Sequence, residues 1–207
     1  MKLYAFLVKL LSRIISALFK LEVIGEENVP KEGPLMVCAN HLSNWDPVLV
    51  AVSLKSRQVR YMAKAELFKI PGLNVLLKTL GAYPVNRGAG DVRAIKHTIE
   101  IIKNGDCIGI FPQGTRHFGT NPRETAVKAG TGMCVYHSKC DVLPVAIVTK
   151  KRRMVLFSKT YIIIGKPVKY DELMMTDGDK AQFLGASRII FDRICDLCEQ
   201  GEKKYER

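Results

Sequence analysis

The start of the sequence lacks an apolar run long enough to cross a bilayer. The first twenty residues, MKLYAFLVKLLSRIISALFK, look like such a run, but Lys9 and Arg13 interrupt it before about 20 apolar residues accumulate. No small-residue cleavage site follows, because the chain continues directly into LEVIGEENVP, which is typical of a strand and a turn. We therefore expect neither a membrane-spanning helix nor a secretory signal peptide in this segment.

The sequence also lacks a pattern of paired cysteines. Six cysteines occur, and only Cys195 and Cys198 form a C-x-x-C. That pair falls within a helical pattern without a second pair or a supporting histidine, so a zinc site is not predicted. No disulfide framework is evident, which favours a reducing, cytosolic environment. Cys38 and Cys107 lie in or beside apolar runs, where a free thiol packs as a small hydrophobe.

Several signatures of enzymatic chemistry are missing. There is no candidate metal cluster and no serine nucleophile elbow. The stretch GAGDVR lacks both the full glycine pattern and the preceding strand of a dinucleotide-binding fingerprint. His97, His117 and His137 have no spacing typical of metal ligands. We therefore predict neither a bound metal nor another cofactor.

Acidic residues are fewer than basic ones. The 207 residues include 20 Asp and Glu against 32 Lys and Arg, giving a formal charge of +12. Such an excess predicts an anionic partner, either nucleic acid or an acidic membrane. The chain is 47% apolar and 25% charged, as expected of a globular protein, and its length suits one core.

The charges of the first twenty residues favour the membrane. On a helix, Lys2, Lys9, Arg13 and Lys20 fall within a narrow arc, and large apolar residues fill most of the remaining circumference. This pattern predicts an amphipathic helix over 1–20 that lies in a membrane interface with its cations toward anionic headgroups. A terminal helix packed on the domain or on a partner chain is the alternative. A nucleic-acid partner is not predicted, since no aromatic-rich basic strand is present.

After residue 20, strand-like and helix-like patterns alternate. We therefore predict a single α/β domain over 21–207, with a mostly parallel or mixed sheet flanked by helices. Short apolar runs predict buried strands, and a 3.6-residue periodicity predicts helices. The segments that matter most below are predicted strands at 34–40 and 141–149, strands within 154–168, and helices at 91–105, at 124–140 and from about 182 to 199.

The stretch NHLSNWDP places a histidine and a carboxylate at the end of a predicted strand. His41 follows that strand directly, and Asp46 precedes a helix with Pro47 at its first position. Open α/β sheets build their sites at such strand ends. A histidine held in one tautomer by a carboxylate can take a proton from a hydroxyl. A helix-capping role for Asp46 and a merely hydrogen-bonded, buried His41 are the alternatives.

The stretch FPQGTR supplies a candidate phosphate-binding loop. It leaves a predicted strand, turns at Gly114 and offers backbone N–H groups, Thr115 and the guanidinium of Arg116. A plain tight turn with an exposed arginine is the alternative. Arg87 in YPVNRG and Lys64 in MAKAELF are two further cations, which are otherwise solvated surface charges.

With these stretches in order, the sequence resembles the 1-acylglycerol-3-phosphate acyltransferase family. NHLSNWD resembles the family's H-x4-D block, GAYPVNR its second block, and FPQGTR its third, which is usually FPEGTR. VLPVAI resembles the proline-containing fourth block, and MAKAELFKIPGL follows the family's sequence between the first two. The resemblance covers almost everything after the N-terminal segment.

The resemblance implies a role for each block. His41 would be the general base and Asp46 its orienting partner, while the phosphate of the acceptor would be bound by Arg116, Arg87 and Lys64. Gly114 and Thr115 would shape the phosphate loop, and the segment around Pro144 would line the site. Gln113 departs from the usual Glu: it keeps the size and hydrogen-bonding reach but loses the charge. If that carboxylate holds an arginine or acts directly, activity or acceptor choice would change.

The implied reaction transfers a fatty acyl group from a thioester to the sn-2 hydroxyl of lysophosphatidate, which yields phosphatidate. Acyl-coenzyme A or acyl-carrier protein would be the co-substrate, and the enzyme would lie peripherally on the cytoplasmic face of the membrane. The two alternatives are an acyltransferase for another lysolipid acceptor and a non-catalytic lipid-binding protein of the same fold.

Overall fold

A computed structural model describes residues 2–85 and 92–206 of the chain. Within them, seven strands form one sheet in the order β1–β7–β6–β2–β5–β3–β4. The apolar stretches identified in the sequence supply most of these strands. Their bounds are β1 (Leu21–Ile24), β2 (Leu35–Ala39), β3 (Val59–Lys64), β4 (Tyr83–Val85), β5 (Cys107–Ile110), β6 (Asp141–Thr149) and β7 (Thr160–Ile164).

Within the same described residues, the structure has six α-helices. Asp179 is the N-cap of the last of them, because its carboxylate accepts the backbone N–H of Gln182 at 2.7 Å. Gly105, with a φ of 86°, follows the fourth helix as its expected C-terminal glycine. The bounds are α1 (Lys2–Phe19), α2 (Asp46–Ser53), α3 (Leu73–Thr79), α4 (Val92–Lys103), α5 (Gly130–Ser138) and α6 (Lys180–Glu202).

The strand directions bring several strand ends to one edge of the sheet. β6 and β7 pair antiparallel, whereas β1–β7, β2–β5, β2–β6, β3–β4 and β3–β5 pair in parallel. The predicted mixed sheet is thereby confirmed. β2, β3, β5 and β6 all end at the same edge, which we call the carboxyl edge. β1 and β7 start there, so the end of α1 lies at this edge as well.

Both faces of the sheet are covered by helices, which explains why the strands are continuously apolar. Leu35, Val37 and Ala39 of β2 join a buried cluster with α1 and α2. Met36 and Cys38, which alternate with them, join a second cluster with α4, α5 and α6 on the opposite face. At the middle of the sheet, Val37 lies beside Gly109 of β5.

The last turn of α1 packs on the domain. Ile15 and Phe19 are buried with the residues of α2, whereas Lys9, Arg13 and Lys20 are exposed. The packed-helix alternative therefore holds for this turn, and the cations still face outward. In the described part of the chain, no helix has both the length and the apolar character needed to cross a bilayer.

Two predicted elements are shorter than expected. The helix predicted over 124–140 begins at Gly130, because a 3₁₀ turn forms over Pro122–Glu124 and Thr125 is extended. The hydroxyl of Thr125 donates to the carbonyl of Pro122 at 2.7 Å, which closes that turn. Within 154–168, the structure has a strand over Thr160–Ile164, and 154–159 form a loop and a turn.

The six cysteines are free and buried. Burial raises the pKa of the Cys107 thiol to about 12 and that of Cys140 to about 11. Cys195 and Cys198 of α6 lie in the same buried cluster as Cys134. These side chains therefore serve as small apolar groups in the core.

Candidate active site

The loop that follows β2 folds around one carboxylate. Oδ2 of the fully buried Asp46 accepts hydrogen bonds from the backbone N–H groups of Leu42 at 2.5 Å and Ser43 at 2.7 Å. Its Oδ1 accepts the hydroxyl of Ser43 at 2.8 Å. No side-chain hydrogen bond caps the start of α2, whose N-cap residue is Trp45. Asp46 therefore shapes the preceding loop. It does not cap α2, which was the alternative role.

The same carboxylate orients His41. Nδ1 of His41 lies 2.7 Å from Oδ2 of Asp46, and the imidazole stacks on Phe111 with ring centroids 4.0 Å apart. An ionised carboxylate only accepts hydrogen bonds, so Nδ1 must carry the proton and Nε2 keeps its lone pair. Within the described residues, Nε2 has no hydrogen-bond partner. A lone pair is therefore available at the cavity that His41 lines.

Gln113 ties the loop after β5 to the loop after β2. Its Oε1 accepts the backbone N–H of His41 at 2.7 Å, and its Nε2 donates to Oγ1 of Thr125 at 2.8 Å. The carbonyl of His41 in turn accepts the backbone N–H of His117 at 2.8 Å. Neither bond of Gln113 involves an arginine. This buried residue acts on the backbone of His41 and uses both ends of a neutral amide.

Replacing Gln113 tests this link. Gln113→Leu should lower the free energy of unfolding by roughly 2–4 kcal/mol, because His41 and Thr125 each lose a buried partner. Gln113→Glu keeps an acceptor for His41, and the Thr125 hydroxyl can donate to it instead of to Pro122, so we expect a smaller loss of about 1–2 kcal/mol. Urea unfolding measures both variants. Native stability in Gln113→Leu would contradict the structural role.

Two of the three predicted cations, Arg116 and Lys64, line the cavity beside His41. The guanidinium of Arg116 donates from Nη1 to Oδ1 of Asn44 at 2.7 Å and has no carboxylate partner among the described residues. Lys64 is the last residue of β3, and its exposed side chain lines the same cavity as His41 and Arg116. Arg87 lies outside the residues that the structure describes.

The other predicted site residues are divided between the loop and the sheet. Gly114, with a φ of 71°, closes a turn in which its N–H donates to the carbonyl of Phe111 at 2.9 Å. Thr115 is exposed, and its hydroxyl lies 3.0 Å from Nε2 of His117. Pro144 is buried inside β6 beside Cys38, and it is not among the residues that line the cavity.

A cavity of about 510 Å³ opens beside His41. Its polar lining comes from His41, Asn44, Lys64 and Arg116. The rest is apolar and comes from α2, β3 and the segment around α3. It includes Val48, Val52, Val59, Tyr61, Leu67 and Leu77. A cavity of this size and lining suits an amphiphilic ligand, with its apolar part enclosed and its polar part near the base.

Sequence reasoning missed three residues that hold the site together. Asn40 is buried, and its side-chain amide exchanges two hydrogen bonds with the backbone of Ile147, at 2.8 and 2.9 Å. It thereby extends the pairing with β6 beyond the end of β2. Asn44 holds Arg116, and Phe111 stacks on His41. The available signal was their position in the sequence: Asn44 and Phe111 lie within the H-x4-D and FPQGTR stretches, and Asn40 directly precedes the first.

The site therefore combines a histidine, a carboxylate that orients it, an arginine without a carboxylate partner among the described residues, and an apolar cavity. Within residues 2–85 and 92–206, no group of three or more His, Cys, Asp or Glu side chains could hold a metal ion. The arrangement is suited to removing a proton from a hydroxyl of an amphiphilic substrate.

Comparison with known proteins agrees with this chemistry. The model of the acyltransferase family matches residues 20–148, which is more than half of the chain. The chain therefore belongs to the acyltransferase family. Its H-x4-D, FPQGTR and VLPVAI stretches all lie within the matched region.

Two curated relatives share the name 1-acyl-sn-glycerol-3-phosphate acyltransferase. The protein from Bacillus subtilis is 31% identical over 169 residues, which cover 80% of this chain and 82% of that protein. The protein from Borreliella burgdorferi is 33% identical over 134 residues, covering 62% of this chain and 51% of that protein. The match to the Bacillus subtilis protein exceeds 30% identity and covers more than two thirds of that protein, so it supports membership of the same family.

A solved structure has the same fold. The crystal structure of the 1-acyl-sn-glycerophosphate (LPA) acyltransferase from Thermotoga maritima superposes with a TM-score of 0.73. The match covers 97% of this chain and 82% of that protein at 24% sequence identity. The predicted single α/β domain with a mixed sheet is thereby confirmed.

Proposed function

We propose that this enzyme transfers a fatty acyl group from an acyl thioester to the sn-2 hydroxyl of 1-acyl-glycerol-3-phosphate. The observation that carries the proposal is the buried His41–Asp46 pair at an apolar cavity whose lining includes Arg116. The names of the curated relatives support the same acceptor. Phosphatidate would be the lipid product.

The geometry supports a direct transfer in which His41 is the base. Nε2 takes the proton of the acceptor hydroxyl while the oxygen attacks the thioester carbonyl and a C–O bond forms. The tetrahedral intermediate then collapses and the C–S bond breaks, and the departing thiolate receives the proton from the imidazolium. Asp46 stabilises that imidazolium through Nδ1. No covalent acyl-enzyme is needed, since the acceptor hydroxyl is the nucleophile.

The cavity and its cations support an acceptor with both a chain and a phosphate. An acyl chain would occupy the apolar part of the cavity and exclude water from it. Arg116 is available to an anion because its contact in the structure is the neutral side chain of Asn44. A guanidinium binds phosphate oxygens through two parallel hydrogen bonds, which would place the glycerol hydroxyl near His41. Lys64 would add a second positive charge.

The surroundings of the enzyme belong to the same proposal. Acyl-coenzyme A or acyl-carrier protein would supply the thioester, and no further cofactor is required by the steps above. Exposed Lys9, Arg13 and Lys20 on and beside α1 support binding to an anionic membrane surface. The enzyme would then meet its lipid acceptor at the cytoplasmic face of the membrane.

The direct test is acyl transfer from a labelled thioester to lysophosphatidate in mixed micelles. Both acyl-coenzyme A and acyl-carrier protein should be supplied in parallel, with product identified by chromatography. Lysophosphatidylcholine and lysophosphatidylglycerol test the alternative acceptors. Formation of phosphatidate at the highest rate supports the proposal. Faster acylation of another lysolipid would replace the acceptor, and no transfer with any pair would leave the non-catalytic alternative.

Arg116 should determine the affinity for the phosphate. Arg116→Ala is expected to raise KM for lysophosphatidate by about 10–100-fold, because a charge-assisted hydrogen bond contributes roughly 1.5–3 kcal/mol. The effect on a lysolipid without a phosphate monoester should be smaller. Arg193→Ala, an exposed arginine on α6, is the matched control and should leave KM unchanged. An unchanged KM in Arg116→Ala would assign the phosphate to other residues.

A further inference from the structure

Large apolar side chains are exposed mainly at the carboxyl edge. Four segments follow the strands that end there: 40–46, 65–72, 111–120 and 150–159. Among the described residues, they contain seven of the twelve exposed large hydrophobic residues of the chain. The connections at the opposite edge contain one, Met174. Such clustering marks an interaction surface.

The 150–159 segment joins the end of α1 to this surface. The backbone N–H of Phe157 donates to the carbonyl of Leu18 at 2.6 Å. The Phe157 side chain is nevertheless 65% exposed, and its φ of 60° is unusual for an aromatic residue. Phe19, which follows Leu18, contacts Trp45 with ring centroids 5.5 Å apart. The turn over 155–157, the end of α1 and the 40–46 loop that carries His41 thus form one continuous patch.

The patch borders the candidate active site. Trp45, Phe118 and Leu156 line a depression of about 330 Å³, and Arg116 lines both this depression and the cavity of His41. Arg116 is therefore shared between the exposed apolar side chains of this depression and the cavity of His41.

The charges at the two edges differ in sign. The four segments at the carboxyl edge contain seven Lys or Arg residues and two acidic residues, Asp46 and Glu66, of which Asp46 is buried. At the opposite edge, segments 25–34, 54–58, 80–82, 104–106, 139–140 and 165–179 contain six Lys or Arg residues and eight acidic ones. In the described residues, Lys150, Lys151 and Arg153 form no ion pair. Their charges are therefore available to an anionic partner.

We infer that the carboxyl edge is a second membrane-docking surface, in which the 155–157 turn, Trp45 and Phe118 enter the interface of an anionic bilayer. Apolar side chains among unpaired cations match acyl chains beneath anionic headgroups. α1 and this surface would both bind the bilayer. Two contacts would fix the orientation of the molecule, with its cavity open toward the lipid. The inference concerns the same site as the proposed function and rests on it only for the identity of the lipid substrate.

The sole tryptophan allows the surface to be probed directly. Trp45 lies in the patch, and its fluorescence should shift to the blue and be quenched by brominated lipid in vesicles of equal parts phosphatidylglycerol and phosphatidylcholine. In a Trp45→Phe background, Phe118→Trp should also be quenched, and Met174→Trp, at the opposite edge, should not. A bound protein that is quenched at position 174 and not at 118 would overturn the inference.

Double substitutions distinguish the contribution of this surface to membrane binding from the contribution of α1. Val155→Ser with Phe157→Ser should weaken partition into those vesicles by about tenfold or more, because two apolar side chains no longer enter the interface. The matched control is Met174→Ser with Leu184→Ser, which removes two exposed apolar side chains elsewhere and should leave partition unchanged. Equal partition of the two double variants would overturn the inference, as would self-association of the native chain without vesicle binding.

The cations provide an independent measurement. Lys150→Ala and Lys151→Ala should each weaken partition by about fivefold in the mixed vesicles and have little effect with phosphatidylcholine alone. Acyl transfer to short-chain, monomeric lysophosphatidate should be unchanged in the Val155→Ser, Phe157→Ser variant. If the native chain transfers no acyl group, the proposed function fails while the partition data still decide the docking surface. Partition that is insensitive to both cations would contradict the charge argument.

Discussion

His41→Ala should lower kcat for acyl transfer by at least about a hundredfold, because a positioned base contributes roughly that factor or more. In the structure, Nε2 is the atom with an available lone pair, and alanine leaves no group to take the proton of the hydroxyl. KM for lysophosphatidate should change little, since Arg116 and the cavity remain. The measurement is steady-state transfer from a labelled thioester in mixed micelles.

His97→Ala is the matched control for this variant. His97 is exposed on α4, where its Nδ1 lies 3.7 Å from the carboxylate of the exposed Glu100, so its loss should leave kcat unchanged. Thermal unfolding should show that His41→Ala is folded. A folded His41→Ala variant with the native rate would disprove the mechanism, although membership of the family would stand.

Two substitutions of Asp46 should distinguish its contribution to stability from its contribution to catalysis. Asp46→Ala leaves the N–H groups of Leu42 and Ser43 without their acceptor, so we expect the free energy of unfolding to fall by roughly 2–5 kcal/mol. Asp46→Asn retains an oxygen for these groups and should cost less, about 1–2 kcal/mol. Both variants should lose at least about a hundredfold in kcat, since neither stabilises the imidazolium of His41.

The informative comparison is between the two Asp46 variants. Urea unfolding gives the stability of each, and transfer assays give kcat at a temperature where both are folded. Asp171→Asn, at an exposed position, should change neither quantity. If Asp46→Asn retained the native rate, the carboxylate would serve only to hold the loop, and His41 would need no charged partner.

The sequence allowed the local part of the site to be predicted. Five positions separate His41 from Asp46, so a single turn after a strand is enough to bring their side chains together. The topology of strands and helices also placed this turn at a strand end, where α/β sheets bind their ligands. The sequence of β2 was less informative about which face of the sheet each side chain covers, because both faces are buried. Leu35, Val37 and Ala39 lie on one face, and Met36 and Cys38 lie on the other.

The remaining part depends on contacts that are distant in sequence. Gln113 reaches the backbone of His41 across 72 positions, and this contact requires β2 and β5 to be neighbours in a particular register. Nothing in the local sequence of Gln113 fixes that register. The helix predicted over 124–140 starts later than predicted for a local reason, since Pro122 and the hydroxyl of Thr125 favour a 3₁₀ turn.

The reversed direction of β7 has a consequence for how the molecule would be tethered. If β7 ran parallel to β6, then β1, which runs parallel to β7, would begin at the far edge of the sheet, and α1 would end a full strand length from His41. The reversal puts the end of α1 and the opening of the cavity at the same edge of the sheet. On the proposed function, a lipid could then pass from the bilayer to the base without a hinge or a moving domain.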